Sequence, residues 1–392
     1  MANATLTALT PVHVGNGQKL FRNFDFIVEE NRVGFVDIER VASLIGNDPQ
    51  SILQLTNAIE KKQPILEFLT KGRGIKNVTL EQICFKILKL EGYSEINTSE
   101  LKEQYYTAVK GPCIPGSSLK GALRTGILKY LTSENRNTTD QQHQLINKIE
   151  WGARPDQVFK TLEKELFGND ANSKTTRFLT IGDIQFENLK TEVQELSYEN
   201  LRNDVTKDWE FEQRKAQLVE CIPADSSTSF QFKIDLELAA TYTAFRNRAI
   251  QAERNVRMEP LRDLTVYGKG EIDFLKNINE ATISSLTYDY NKLDGMMMNE
   301  TYLEKLDYIL TTAEQCRDGE AVVRVGGHSG WNFITNRWMI YNEEVLPDSM
   351  YDRLRAKAQK TDKYLHMKMF PKTRKLTQSA TPLGFIKIIL QA

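Results

Sequence analysis

The sequence predicts an α+β fold, and three observations carry that expectation. Apolar and polar residues alternate over Phe230–Leu238, a second strand-like run covers Phe178–Phe186, and a helical pattern follows the turn at Ile114–Ser117. Alternation puts one face of each strand in the core and the other toward solvent. In the helical stretch Leu119, Ala122, Leu123, Ile127 and Leu131 recur at three- and four-residue spacing and form one apolar face.

Taken in order, Thr5–Val14 reads as a strand that ends in the turn Gly15-Asn16-Gly17. Phe24–Val28 and Val33–Ile38 flank a polar turn around Asn31, which is a hairpin signal. Residues 39–109 read as a helical insertion, and the polar stretch near 133–144, beyond the helix at 116, reads as a surface loop. A second helical insertion covers about 239–317. Val322–Val325 is a short strand leading into Gly326-Gly327-His328-Ser329-Gly330, and Pro382–Leu390 is a closing strand. A strand, a helix and further antiparallel strands in this order indicate a ferredoxin-like unit with long insertions.

Composition bounds the function. The chain has 392 residues, 40% hydrophobic and 26% charged, with a formal net charge of −1. That length suits two domains, and the balance argues against a strongly basic free-standing nucleic-acid binder. Cys84, Cys113, Cys221 and Cys316 lie far apart without a CxxC pair, so neither a disulfide framework nor a zinc site is expected. No apolar run is long enough to span a bilayer, and the expected setting is cytoplasmic.

The turn at 114–117 carries the clearest chemistry. Pro115 and Gly116 break the extended run, and Ser117 or Ser118 offers an N-cap hydroxyl. Lys120 and Arg124, four residues apart, share a second helix face beside Gly121. Helix-terminal amides with two cations beside them form a phosphate site. A nucleotide-triphosphate loop is excluded: counted from Gly111, Ser117 stands where the phosphate-binding Lys is required, ahead of Ser118. The loop therefore suits a polymer's phosphate better than ATP.

Other candidates carry more than one reading each. His13 is a packed histidine, an RNA contact or a catalytic base, and no partner is identifiable for it in the sequence. Gly15 and Gly17 are turn residues or allow close approach to a sugar-phosphate. The run Gly326–Gly330 is not a nucleophile elbow, because Trp331 takes the last glycine position, and its spacing is wrong for a dinucleotide fingerprint. It reads as a backbone-contact site with donors from His328 and Ser329, or as a plain turn. Between Arg353 and Lys375 nine Lys/Arg face only Asp362. On a helix over 350–369, Arg353, Lys357, Lys360, Tyr364 and Lys368 share an arc, and Lys372, Arg374 and Lys375 extend it. Such a stripe suits single-stranded RNA, or is a solvated face.

The string IPGSSLKGALRT, residues 114–125, resembles the glycine-serine signature of the RAMP superfamily, the RNA-binding subunits of CRISPR effector complexes. TPVHVGNG (10–17), FLTIGD (178–183), VECIPADSSTSF (219–230) and the late glycine-rich loop follow in the superfamily's order. The length, VRVGGHSGW (323–331) and FPKTRKL…PLGF (370–385) resemble its type III-A (Csm) branch. The resemblance implies two ferredoxin-like (RRM-like) modules: 1–238 with the insertion at 39–109, and 239–392 with the insertion at 239–317. It also implies a non-catalytic subunit, without a cofactor or metal, that caps a backbone filament at the 3′ end of the guide RNA. The implied partners are CRISPR RNA, neighbouring Csm backbone subunits and maturation nucleases. The superfamily's acidic cleavage residue is not transferred to Asp25, which lies within an apparent strand. The alternative is a CRISPR-repeat endoribonuclease with His13 or His328 as general base; a third reading is a plain scaffold.

Overall fold

The computed structural model describes residues 2–46, 48–61, 63–92, 98–107, 111–134, 175–203, 208–252, 264–294, 300–330, 333 and 373–391. The chain opens with β1 (Ala2–Ala8), β2 (Gly15–Phe21), β3 (Phe26–Glu29) and β4 (Arg32–Val36). The helices α1 (Ile38–Ile45), α2 (Pro49–Glu60), α3 (Ile65–Glu67) and α4 (Leu80–Ile83) follow. Next come β5 (Cys84–Glu91), β6 (Glu100–Gln104), β7 (Tyr106–Thr107), β8 (Gly111–Ile114) and the long helix α5 (Gly116–Glu134). Then β9 (Leu179–Ile181), β10 (Ile184–Gln185), β11 (Glu192–Asn203), β12 (Asp208–Cys221) and β13 (Ser227–Ile234) precede α6 (Leu236–Gln251), α7 (Glu271–Leu293) and α8 (Glu300–Glu314). The chain closes with β14 (Glu320–Arg324), β15 (Thr373–Thr377) and β16 (Phe385–Leu390).

One five-stranded sheet has the order β14-β16-β1-β13-β9, antiparallel throughout. Its alternating residues Ala4 and Leu6, Phe230 and Phe232, and Ile386 and Ile388 are buried with Leu119, Leu123 and Ile127 of α5 and Phe274 and Ile278 of α7. Each large apolar side chain so covered contributes roughly 1.5–3 kcal/mol. The pairing of β1 with β16 joins residues on both sides of the expected boundary at 238/239 in one sheet. A second, larger sheet runs β2-β6-β12-β11-β5-β4-β3, with β15 added alongside β11.

The hairpin, the helix at 116 and the strands near 180, 230, 322 and 386 stand where the sequence places them. Three expectations need correction. The helical insertion at 39–109 ends at Ile83, and β5, β6 and β7 follow. Ile87 of β5 packs against the α1–α4 layer while Leu88 and Leu90 pack toward the other side, so the apolar residues do not alternate cleanly. Strand β13 stops at Ile234 because Asp235 turns the chain, its carboxylate accepting from the Leu238 amide (3.0 Å) at the start of α6. The first strand ends at Ala8, and Gly15 and Gly17 belong to β2 rather than to a turn. Among the described residues no helix is long and apolar enough to cross a membrane.

Candidate nucleic-acid interface

Residues from several parts of the chain meet around a cleft of about 1010 Å³: the β1–β2 link and β2, Lys102 of β6, helix α5, Asp289 of α7, Tyr302 of α8, Arg324 with the loop after β14, and β15. The β1–β2 link is fixed by a buried polar network. Glu220 of β12 is fully buried, and its carboxylate accepts from Lys86 Nζ (3.1 Å), Tyr106 Oη (2.5 Å), Thr191 Oγ1 (2.5 Å) and the Gln104 amide (3.3 Å). Its main-chain carbonyl accepts from His13 Nδ1 (2.7 Å), and the Gln104 side chain accepts from the Val14 amide (2.9 Å). A buried carboxylate is stable only when its lone pairs are filled, and here four donors reach it.

The glycine-rich loop closes on this link. The Gly327 amide donates to the His13 carbonyl (2.8 Å). Gly326 has φ +90°, and a Cβ there would collide with that same carbonyl oxygen. A side chain is therefore excluded both by conformation and by space. His13 and His328 meet across the contact, with ring centroids 6.0 Å apart.

The cleft is cationic. Lys19, Lys102, Arg324, Arg374 and Lys375 line it, and Asp289 is the one carboxylate among the described lining residues. Asp289 is already committed to Arg374 (2.6 Å), with both side chains buried, and Lys19 pairs with Glu100 (2.8 Å). Lys102, Lys375 and Arg324 have no carboxylate within ion-pair distance among the described residues. Burial pushes the Lys102 pKa down, and the charges of Lys375 and Lys19 add to this. Burial likewise lowers Arg324 to about 10; its Nε donates to the Leu383 carbonyl (2.9 Å) and its guanidinium stacks near Phe385. Lys375 donates to His328 Nδ1 (3.3 Å). His328 is driven to about 3 by burial and then by Lys375 and Lys102, so it is neutral at physiological pH. Burial also lowers His13, against the raising effect of its bond to the Glu220 carbonyl. Cations without a carboxylate partner, set around two imidazoles, have the chemistry to hold a polyanion that also carries hydrogen-bonding groups.

Of the residues singled out in the sequence, His13, Gly15, Gly17, Ser118, Gly121, Gly326, Gly327, His328, Ser329, Gly330, Arg374 and Lys375 line this one cleft. Arg374 serves inside it as a structural partner of Asp289. Gly116, Ser117, Lys120 and Arg124 do not line it. The N-cap assignment is corrected: α5 begins at Gly116, ahead of both serines, and the Gly116 amide donates to Asp183 Oδ1 (2.8 Å). A Cβ at Gly116 would collide with the Ile181 carbonyl oxygen, so this glycine is set by packing against the β9–β10 link. Lys120, half-buried and with its pKa lowered by burial, stands on another face of α5 from Ser118, Ala122 and Thr125. Arg353, Lys357, Lys360 and Lys372 lie outside the described residues. Sequence reasoning missed Lys19, Lys102 and Arg324. Only Arg324 had a signal, a charge inside the apolar run Val322–Val325 directly before the glycines.

A family model described as RAMPs, the RAMP superfamily, matches residues 5–366. A protein of Methanocaldococcus jannaschii described as CRISPR system Cms protein Csm5 is 23% identical over 311 residues, covering 74% of this chain and 68% of that protein. One of the same description from Streptococcus thermophilus is 27% identical over 173 residues, covering 40% of this chain and 48% of the relative. The crystal structure of Csm5 from T. onnurineus superposes with a TM-score of 0.63 at 19% identity, over 97% of this chain and 99% of that one. A chain of the cryo-EM structure of a Csm–crRNA–target RNA ternary complex of a type III-A CRISPR-Cas system gives 0.65 at 18% identity, over the full length of both. At these identities the superpositions establish a shared fold. The motif-based likeness to the type III-A branch agrees with them.

Proposed function

The chain belongs to the RAMP superfamily, and from that premise we propose that it is the CRISPR RNA-binding end subunit of a type III-A (Csm) interference complex. In this reading it is non-catalytic, works in the cytoplasm, and caps the backbone filament at the 3′ end of the guide RNA. Its protein partners are neighbouring Csm backbone subunits and the nucleases that mature the RNA. The likeness to proteins described as Csm5, and to a chain of a Csm–crRNA–target RNA complex, supports the assignment. For the fold, we assign β1, α5, β9, β13, α7 and β16 to one ferredoxin-like module, in the antiparallel order β16-β1-β13-β9.

The observation that carries RNA binding is the cleft in which Lys102, Arg324 and Lys375 lack a carboxylate partner among the described residues. Phosphate contacts supply affinity independent of sequence, as a guide with a variable spacer requires. The test is binding of a labelled single-stranded RNA to the full chain over a range of salt concentrations. Replacing Lys102 and Lys375 by Ala should flatten the slope of log K against log salt by about 0.7 per lost phosphate contact. An unchanged slope in the double variant removes the cleft as the RNA site. Repeat RNA incubated with the protein should stay intact; cleavage that disappears in His13→Ala would instead favour the endoribonuclease reading.

A further inference from the structure

We propose that His13 and His328 together recognise a ribose 2′-hydroxyl, so that the cleft selects RNA over DNA. The inference rests on the RNA-binding reading and deepens it. The hydrogen-bond partners fix what each ring presents. The Glu220 carbonyl can only accept, so His13 Nδ1 carries the proton and Nε2 is left as an acceptor. The Lys375 ammonium can only donate, so His328 Nδ1 accepts and its proton sits on Nε2. One imidazole thus offers an acceptor and the other a donor, neither with a further hydrogen-bond partner among the described residues.

The spacing fits one bridging oxygen. Ring centroids 6.0 Å apart leave room for a hydroxyl that donates to one ring and accepts from the other, at about 2.8 Å each. A 2′-hydroxyl is both donor and acceptor, and it is the group that separates RNA from DNA. Lys102 and Lys375 stand beside the pair for the adjoining phosphate. His13 is only 2% exposed, and two glycines border its ring edge, where a side chain would crowd it. A Cβ on Gly15 would stand 3.0 Å from His13 Nε2, and one on Gly327 3.1 Å from Cδ2. His328 is held with φ +65°, in the left-handed region that glycine also adopts.

The experiment compares three oligonucleotides of identical base sequence, with ribose, 2′-deoxyribose and 2′-O-methyl ribose, binding to the full chain across a salt series. The ribose form should bind about tenfold tighter than the deoxy form, the scale of one or two net hydrogen bonds. His328→Gly removes the ring at a position where glycine accepts positive φ, and His13→Asn keeps a donor for the Glu220 carbonyl while deleting the Nε2 acceptor. Both should bring the ribose-to-deoxy ratio toward one without altering the salt slope. A purely structural role would weaken both oligonucleotides equally and leave the ratio alone. Salt-dependent binding with no sugar preference, or a ratio unchanged in His328→Gly, overturns the inference but leaves RNA binding standing. Absence of salt-dependent binding overturns the RNA-binding reading itself. Should His13→Asn fail to fold, His328→Gly decides alone.

Discussion

The two histidines also tie the stability of the fold to pH. The His328 pKa is depressed to about 3 and that of His13 is lowered, both chiefly by burial, whereas an unfolded histidine titrates near 6.5. Between those values the unfolded chain binds protons that the folded chain refuses, so stability falls as pH falls. Chemical denaturation at pH 7.5, 6.5 and 5.5 should show unfolding free energy declining toward acid. The slope should approach about 1.4 kcal/mol per pH unit from His328 below 6.5, and His13 should add to it in the same direction. His328→Gly should reduce that slope, and an equal slope in the variant would mean that the ring is solvated. At this scale the sequence was legible where a residue type is rare: His13 and His328 are two of only four histidines, and both line the cleft. Lys19 and Lys102 were not legible, because a lysine in a polar strand looks the same whether or not a carboxylate answers it. That depends on which strands are neighbours, and β2, β6 and β15 come together only in the folded sheet.

Among the elements, α5 shows how a motif can be found correctly and its cap misplaced. The turn and the apolar stripe gave the helix, with Leu119, Leu123 and Ile127 fully buried. The sequence could not show that Asp183, 67 residues later, would supply the cap that Ser117 and Ser118 seemed to offer. A carboxylate already at the first amide reduces that helix end's capacity for an external phosphate, because the two anions repel. The side of α5 with Ser118, Gly121 and Thr125 opens on the cleft, and in the proposed reading that side faces the phosphates. Asp183→Ala should lower stability by about 1 kcal/mol, the usual cost of a lost cap, and Asp183→Asn should restore most of it. Thermal melts of the two variants check this; no change in the alanine variant would mean that the Gly116 amide has another acceptor. Strands β13, β14 and β16 were legible because one face of each is solvated or the run is continuously apolar. Strand β5 was not, since apolar Phe85 and Ile87 stand on its more exposed face between the buried Cys84, Leu88 and Leu90, and neither was the pairing of β15 with β11, which falls inside a basic tract.

Across the whole molecule, the strand pairing decides what can stand alone. A sequence read from left to right divides at 238/239, where a strand gives way to helices. One sheet joins strands from both sides of that point: β16 lies between β1 and β14, so the last strand of the chain covers the edge of the first. Removing residues 239–392 would strip β14 and β16 from the sheet and take away α7, whose Phe274, Leu275 and Ile278 pack in the same core as Leu6 and Phe232. It would also leave β1 as an exposed apolar edge, a template for aggregation. The cleft would be lost as well, since Arg324, the glycine-rich loop and Lys375 come from the second half while His13 and Lys102 come from the first. A fragment of residues 1–238 should therefore show no cooperative melt and no salt-dependent RNA binding, whereas the full chain should show both. Adding the 239–392 fragment in trans should recover part of each, because the missing strand and helix are then supplied. A cooperative melt from 1–238 alone, with slow amide exchange in β1, would show that the first half is an autonomous module and that β16 only decorates its edge.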